Sequence, residues 1–127
     1  MKKIVIIGMF LFILCSVSIV MAANNISGIW VSTVRADYQE AISQDGDRLY
    51  VVGYFLENGT PMVWHGEGRI RGNRLEYSIN FSKNPFNQNK SGDGKHINIL
   101  SPDGKTMSVK GFDNVGGTIE YQMTFQK

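Results

Sequence analysis

The chain has 127 residues, 43% of them hydrophobic, and its 13 basic and 11 acidic residues give a formal net charge of +2. Lys2 and Lys3 carry this surplus, since the rest of the chain has 11 basic and 11 acidic residues. A neutral remainder argues against nucleic acid as a partner, because phosphate binding needs a concentrated basic surface. Arg69, Arg71 and Arg74 form the one local basic cluster, which we interpret as a solvated turn.

The N-terminal segment has the pattern of a secretory signal peptide. Two lysines precede an apolar run over residues 4–20, and the small residues Ala22 and Ala23 close it. We therefore expect residues 1–23 to be removed as a signal peptide and residues 24–127 to form the mature chain. A single membrane anchor is the alternative, but the run of 17 residues is at the lower limit for spanning a bilayer and no charges close it.

Cysteine usage bears on the compartment and on anchoring. Cys15 raises the alternative of a lipoprotein, but Leu14 before it is bulky and the apolar run continues beyond it. If Cys15 leaves with the signal peptide, the mature chain has no cysteine and no disulfide stabilises the fold. The short signal is typical of bacteria, so we expect a secreted or periplasmic protein with no stable membrane anchor.

The mature chain has roughly 105 residues, enough for one domain with a modest core and too few for two. Segments rich in β-branched and aromatic residues alternate with turn residues, and no helical period follows the signal peptide. The predicted strands cover residues 28–34, 38–44, 48–56, 62–70, 75–82, 95–100, 105–110 and 118–126.

Two of these strands alternate cleanly between apolar and polar residues. Their apolar faces consist of Leu75, Tyr77, Ile79 and Phe81 in the fifth strand and of Ile119, Tyr121, Met123 and Phe125 in the eighth. Ile97 and Ile99 share one face of the sixth strand, and Met107 and Val109 are expected to point inward from the seventh. The third strand is apolar on both faces, so its outer face is either covered or a contact surface.

The longest predicted loop covers residues 83–94 and is polar and rich in asparagine and glycine. Phe86 follows Pro85 in this loop, with no hydrophobic period that would bury it. An exposed aromatic residue on a loop is typical of a contact anchor, and the alternative is that Phe86 folds back as a plug in the barrel mouth.

Eight short strands joined mostly by hairpin turns favour an up-and-down antiparallel β-barrel, because an open sheet would leave two edges exposed. A β-sandwich is the alternative. The connections at residues 45–47, 71–74 and 101–104 are tight and share one end of such a barrel. The longer connections, at residues 57–61, 83–94 and 112–117, share the other end, where we expect binding.

The residues Gly28-Ile29-Trp30 form a Gly-x-Trp motif at the start of the first strand, and here the chain resembles the lipocalin-like superfamily. The resemblance implies an eight-stranded barrel of a short form, with Trp30 filling the closed end. No arginine after Arg74 is present to cover Trp30, which leaves Lys110 or Lys127 as substitutes. Avidin-like barrels share the motif, but the mature chain has only one further tryptophan and biotin is not the expected ligand.

One polar residue falls on a predicted interior face. Glu40 shares a face of the second strand with Ile42, so an inward Ile42 places this carboxylate inside the barrel, where it needs a polar partner. A shifted register is the alternative explanation. With Tyr77 and Tyr121, which are otherwise core residues, Glu40 is a candidate to orient the polar end of a ligand. The predicted ligand-binding residues are Glu40, Trp64, Tyr77, Phe81, Phe86 and Tyr121.

Catalysis has few candidate groups, because His65 and His96 are the only histidines and no thiol remains in the mature chain. A metal site built from His65, His96 and Glu67 would lack any ligand-spacing motif. We therefore expect no enzyme, no catalytic residues, no metal and no cofactor.

The residues favour a non-enzymatic secreted or periplasmic protein, a monomer that holds a small apolar or amphipathic molecule in a β-barrel. The alternative is an inhibitor or immunity-type protein that blocks another envelope protein through its open-end loops. An interior filled by side chains would favour the alternative, and eight-stranded barrels are often narrow enough to be filled in this way.

Overall fold

The structure is a computed structural model that describes residues 25–81, 92–114 and 117–126. The predicted signal peptide, Phe86 and Lys127 lie outside the described residues.

Eight strands follow one another in chain order, each antiparallel to the next. They are β1 (Gly28–Ser32), β2 (Gln39–Asp45), β3 (Arg48–Glu57), β4 (Thr60–Arg71), β5 (Arg74–Phe81), β6 (Gly92–Leu100), β7 (Thr106–Asp113) and β8 (Gly117–Phe125). β8 returns to pair with β1, so the sheet closes and leaves no edge strand. The predicted up-and-down barrel is confirmed, and the sandwich alternative is wrong.

None of the described segments forms a helix that is long and apolar enough to cross a membrane.

β6 and β7 extend into segments that were predicted as connections. β6 begins at Gly92, so the predicted loop 83–94 ends earlier than expected, and β7 continues to Asp113. The glycines of these segments had indicated loops. Gly94 instead lies within the sheet, where a Cβ atom would be 2.7 Å from the Cβ atom of Asp113 on β7. The close approach of β6 and β7 therefore requires glycine at position 94. Glycine within a strand often marks such a close approach of another backbone.

The closed end of the barrel carries the three tight connections. Gly46, Gly72 and Gly104 adopt positive φ values of 59°, 60° and 70°, which glycine reaches without steric cost. The first two connections are two-residue hairpins between strands paired to their ends.

Trp30 fills this closed end and is completely buried. Its indole Nε1 donates to the carbonyl of Ile26 at 3.0 Å, and the Phe125 ring lies 5.2 Å away, centroid to centroid. The position is the one implied by the Gly-x-Trp resemblance. Lys110 does not cover Trp30, because it points outward and pairs with Glu120 at 3.6 Å; Phe125 and Ile26 provide the cover instead.

The predicted inward faces of β5 and β7 are confirmed. Ile97 and Ile99 share one face of β6, as predicted, and this face is the outer one, whereas His96, Asn98 and Leu100 are buried inside. Two of the three buried residues of β6 are therefore polar, and both contact the Tyr77 hydroxyl on β5.

β3 is apolar on both faces, as its sequence predicts. Leu49 and Val51 are buried, while Tyr50, Val52 and Tyr54 face outward and are 39 to 54% exposed. Gly53, between them, faces inward and is the residue that makes room for the Trp64 indole: a Cβ atom at position 53 would overlap that ring.

A methyl group at position 53 should destabilise the barrel. Alanine normally stabilises a strand relative to glycine, but in Gly53→Ala the indole or the strand must move, which costs about 1 to 3 kcal/mol in the free energy of unfolding. Urea unfolding followed by circular dichroism measures this cost. Val52→Ala, at the neighbouring outward position, is the matched control and should change stability by less than about 0.5 kcal/mol.

The same substitution in a variant with a smaller side chain at position 64 separates the steric overlap with the indole from other effects of alanine. In Trp64→Leu the smaller side chain leaves space over position 53, so adding Gly53→Ala should then cost clearly less than it does beside Trp64. An equal cost of Gly53→Ala in both backgrounds would contradict this account of the glycine.

Candidate functional site

A cavity of about 370 Å³ opens at the end of the barrel opposite Trp30, and we call it the open-end cavity. Most of the side chains that line it are aromatic or aliphatic. The lining residues are Ser32, Val34, Arg35, Tyr38, Phe55, Glu57, Met62, Phe81, Asp113, Ile119, Glu120 and Tyr121. The cavity therefore lies at the predicted open end. The β3–β4 connection at this end is a two-residue hairpin of Asn58 and Gly59, so the longer connection predicted over residues 57–61 is wrong.

Aromatic rings in mutual contact form one side of this cavity and close it from below. The Tyr38 ring lies 5.7 Å from Phe55, 4.9 Å from Trp64 and 4.7 Å from Tyr121, centroid to centroid. Trp64 is fully buried behind these rings and also contacts Phe81 at 6.0 Å. Aromatic pairs at such separations add rigidity as well as buried area, so this side of the cavity is preformed.

The hydroxyl groups of Tyr38 and Tyr121 in the cavity are hydrogen-bonded to each other. Tyr121 Oη donates to Tyr38 Oη at 2.8 Å, which uses one of the two phenolic protons. Whichever phenol donates, the other proton stays available to an acceptor on a bound molecule.

Charged groups surround the rim of the cavity. Arg35 donates to Asp37 at 2.7 Å and to the carbonyl of Leu56 at 2.7 Å, and its guanidinium carbon lies 5.4 Å from the centre of the Phe55 ring. The hydrogen bond from Arg35 lowers the pKa of Asp37, so this exposed pair remains ionised at neutral pH. Asp113 is the buried carboxylate of the lining, with 6% of its surface exposed.

Closer to the closed end lies a buried polar cluster of Glu40, Tyr77, His96 and Asn98. Tyr77 Oη is its centre: it donates to Glu40 Oε2 at 2.7 Å and accepts from Asn98 Nδ2 at 2.9 Å. His96 Nδ1 lies 3.3 Å from the same oxygen. Tyr77 donates its single proton to Glu40, so its oxygen can only accept from His96. A hydrogen bond between His96 Nδ1 and Tyr77 Oη therefore requires that Nδ1 carries the imidazole proton.

The sheet register assembles this cluster. Tyr77 on β5 and His96 on β6 are direct partners, so their side chains project into the barrel together. Gly111, opposite His96 on β7, leaves the space that the imidazole fills, because a Cβ atom there would lie 2.8 Å from His96 Cδ2. Glu40 reaches the group across the barrel from β2.

The cluster is only partly satisfied. Among the described residues, Glu40 Oε1, His96 Nε2 and Asn98 Oδ1 are buried without a hydrogen-bond partner, as is Trp64 Nε1. His96 Nδ1 lies 3.4 Å from Glu40 Oε1, close enough for charge attraction when the imidazole is protonated but outside hydrogen-bond geometry. Such unpaired buried polar atoms are uncommon in proteins, and each of them lowers the stability of the fold.

Three interior tyrosines have raised pKa values. Burial is the main cause for Tyr38, Tyr77 and Tyr121, because desolvation disfavours the phenolate, and the nearby carboxylate of Glu40 raises the pKa of each further. The three phenols therefore stay neutral in the folded protein well into the alkaline range.

The two histidines are separated by the sheet. His65 and Glu67 lie on the outer face of β4, whereas His96 lies inside the barrel. The three side chains therefore cannot bind one metal ion together. In the described part of the chain, no group of three or more histidine, aspartate or glutamate side chains is placed to hold a metal ion.

The predicted ligand-binding residues divide into two levels. Phe81 and Tyr121 line the open-end cavity, whereas Trp64 is buried behind its aromatic side and Glu40 and Tyr77 belong to the polar cluster. Glu40 points inward as its register predicts. Phe86 lies outside the described residues.

Several residues at these two levels were not predicted as site residues. Tyr38, Phe55 and Ile119 fell in predicted strands and Asp113 in a predicted connection, and none of the four had been assigned a role in binding. His96 and Asn98 were not predicted as site residues, because only the isoleucine face of β6 was identified and it was not assigned to the inside or the outside. The available signal was that His96 and Asn98 share the face of β6 opposite to these isoleucines.

A second cavity, of about 320 Å³, lies on the outer face of β4, β5 and β6. The predicted basic cluster of Arg69, Arg71 and Arg74 contributes to it, together with Glu76 and Lys95. Arg74 and Lys95 both pair with Glu76, and Arg69 pairs with Asp47. Two of the three arginines are therefore paired with carboxylates. The three were interpreted as a solvated turn, but they lie on β4 and β5, beside the turn of residues 72–73.

No protein-family model matches the chain, and neither a curated protein nor a solved structure matches it.

Removing the Tyr77 hydroxyl tests the polar cluster. Tyr77→Phe keeps the ring but leaves Glu40 Oε2 buried without its donor, so the free energy of unfolding should fall by about 1 to 3 kcal/mol. Denaturant unfolding measures this loss. Tyr50→Phe, on the outer face of β3, is the matched control, and a similar loss in both variants would show that the cluster is not the cause.

Alkaline pH should destabilise the fold through the interior tyrosines. The unfolded chain loses these phenolic protons near the usual pKa of 10, whereas the folded barrel retains them, so stability is complete below pH 10 and falls above it. Each tyrosine should contribute about 1.4 kcal/mol per pH unit in that range. Urea unfolding on both sides of pH 10 measures the slope, which should be smaller in a Tyr38→Phe/Tyr121→Phe double variant; an unchanged slope would contradict the assignment.

Proposed function

We propose that the protein is a non-enzymatic binding protein that holds a small apolar or amphipathic molecule in its open-end cavity. The single observation that carries this proposal is an aromatic-lined cavity of about 370 Å³ at the end of a closed barrel. Small-molecule sites in proteins commonly have volumes of roughly 300 to 1,000 Å³ and combine apolar surfaces with a few polar groups. The cavity is at the lower end of that range, which favours a compact ligand.

The division of the interior supports a ligand at the mouth rather than deep in the barrel. Apolar side chains and Trp30 fill the closed end, and the polar cluster fills the middle. The joined phenols of Tyr38 and Tyr121 keep one proton available on the cavity side of that packing. The ligand therefore rests on the aromatic rings and meets a hydrogen-bond donor there.

The Gly-x-Trp start and the filled closed end are consistent with a lipocalin-like barrel, the type of fold that the sequence resembles. The alternative, an inhibitor or immunity-type protein acting through its open-end loops, predicts an interior without free space. The open-end cavity favours ligand binding over that alternative. We further propose that residues 1–23 direct the chain to the periplasm or the exterior, where it acts as a monomer.

Filling the cavity tests the proposed function. The neutral fluorescent probe N-phenyl-1-naphthylamine should bind the mature protein, and Ile119→Trp should weaken binding about tenfold or more by occupying the same space. Val63→Trp places an indole on the outer face of β4 and is the matched control. Circular dichroism of both variants confirms that they fold. Equal probe affinity in the two variants, or no binding to the unmodified protein, would overturn the proposal.

A further inference from the structure

The cavity on the outer face of β4, β5 and β6, which we call the outer cavity, has a backbone floor and charged walls. Gly68 and Tyr77 are direct cross-strand partners that line it. Gly68 has no side chain and that of Tyr77 is buried inside the barrel, so the floor is backbone. The walls are the outward side chains of the neighbouring residues, four of which are basic: Arg69, Arg71, Arg74 and Lys95.

One carboxylate of the outer cavity is shared between two cations. Glu76 pairs with Lys95 and accepts from Arg74 Nε at 3.4 Å, and the three side chains are 40 to 55% exposed. These contacts, that of Lys95 first, lower the pKa of Glu76, so its carboxylate stays ionised at neutral pH. A single negative charge balances only one of the two cations, and a ligand can reach the other.

Arg71 adds a cation without a partner. Among the described residues, no carboxylate lies within ion-pair distance of its guanidinium. Arg71 is directly opposite Arg74 in the pair that closes the β4–β5 hairpin, and both residues are exposed on the outer face. Opposed residues of this kind have Cβ atoms about 5 Å apart, and like charges there destabilise a sheet. An anion between the two guanidinium groups would remove this repulsion.

Other charges around the outer cavity do not cancel its positive surplus. Asp47, outside the lining, pairs with Arg69 at 2.6 Å, but Arg48 is directly opposite Arg69 on β3 and adds a further positive charge. Glu67 lines the far end of the cavity, four residues before Arg71 on the same strand, which is about 13 Å at the rise of a β-strand. At physiological ionic strength the Debye length is about 8 Å, so salt largely screens Glu67 from Arg71.

We propose that the outer cavity is a second binding site, which takes a phosphate group between Arg71 and Arg74. A phosphate dianion has several acceptor oxygens, so it can accept paired hydrogen bonds from two guanidinium groups at once. Lys95 adds positive charge from β6. The site lies beside a hairpin of the closed end, on the outer face, so it is separate from the open-end cavity and from the function proposed for that cavity.

Amide nuclear magnetic resonance with inorganic phosphate, at pH 7.5 and constant ionic strength, tests the site. The signals of Gly68 on the cavity floor and Gly72 in the hairpin turn should shift, and that of Ile119 in the open-end cavity should not. Acetate carries one charge and fewer acceptor oxygens, so it should bind about tenfold more weakly than phosphate.

Two arginine variants and one control connect binding to the hairpin. Arg71→Gln should weaken phosphate binding about tenfold or more, because it removes a charge-assisted hydrogen bond. Arg74→Lys keeps the charge but loses the planar fork of donors, so it should weaken binding several-fold. Lys105→Gln removes an exposed cation just before β7, outside the cavity, and should leave the affinity for phosphate unchanged.

Thermal unfolding gives a readout that an arginine with a purely structural role would move in the opposite direction. At low ionic strength without phosphate, Arg71→Gln should raise the midpoint of unfolding, because it removes the repulsion from Arg74. Added phosphate should raise the midpoint of the unmodified protein and not that of Arg71→Gln. A lower midpoint of Arg71→Gln without phosphate would overturn the inference, since Arg71 would then stabilise the fold without a ligand.

Vesicles of phosphatidylcholine, with and without phosphatidic acid, identify the source of the phosphate group. Binding of inorganic phosphate that depends on Arg71 supports a soluble ligand, and such binding to phosphatidic acid vesicles alone supports a lipid headgroup. If neither binds, or if Arg71→Gln binds both as tightly as the unmodified protein, the inference is overturned. The affinity for N-phenyl-1-naphthylamine should be the same with and without phosphate, so the function proposed for the open-end cavity succeeds or fails separately.

Discussion

A fully buried carboxylate is the constraint on which the interior of this barrel depends. Glu40 has no exposed surface, and an isolated charge in such a place would cost several kcal/mol even after local relaxation. The barrel meets this cost by placing Tyr77 and Asn98, with His96 beside them, at the same depth on β5 and β6. Hydrogen bonds to one hydroxyl hold the group together, and the strand register fixes it in place.

The polar cluster divides the barrel into two parts with different roles. Towards the closed end, Trp30 and the apolar residues around it make an ordinary core that stabilises the fold. Towards the open end, aromatic rings pack above the cluster and leave a cavity that side chains do not fill. The carboxylate thus requires a polar layer inside the barrel, and the cavity lies above that layer.

Local patterns in the sequence predicted the fold because each strand and turn has its own signal. Alternation in β5 and β8, together with the turn glycines at the closed end, was enough to place eight strands and their order. The interior face of β6 could not be predicted in this way. Its buried residues include His96 and Asn98, which contact Tyr77 on β5, and local alternation does not reveal such a partner.

The candidate site shows the same limit. Glu40 could be placed inside the barrel from its spacing to Ile42, since strand geometry fixes which residues share a face. Its partners could not, because Tyr77 is 37 residues away and meets it only across the closed barrel. The cavity was expected at the correct end, but its depth depends on how far the rings of Tyr38 and Trp64 fill the barrel, and packing of that kind is a property of the whole interior.

The central claim is that the open end of the barrel, and not its outer surface, is the binding site of the apolar or amphipathic ligand. Nuclear magnetic resonance of the methyl-labelled protein, titrated with the neutral probe N-phenyl-1-naphthylamine, tests this claim most directly. The account predicts shifts for the methyl groups of Met62 and Ile119, which line the cavity, and none for Val52 and Val63 on the outer face. Shifts confined to Val52 and Val63 would contradict it.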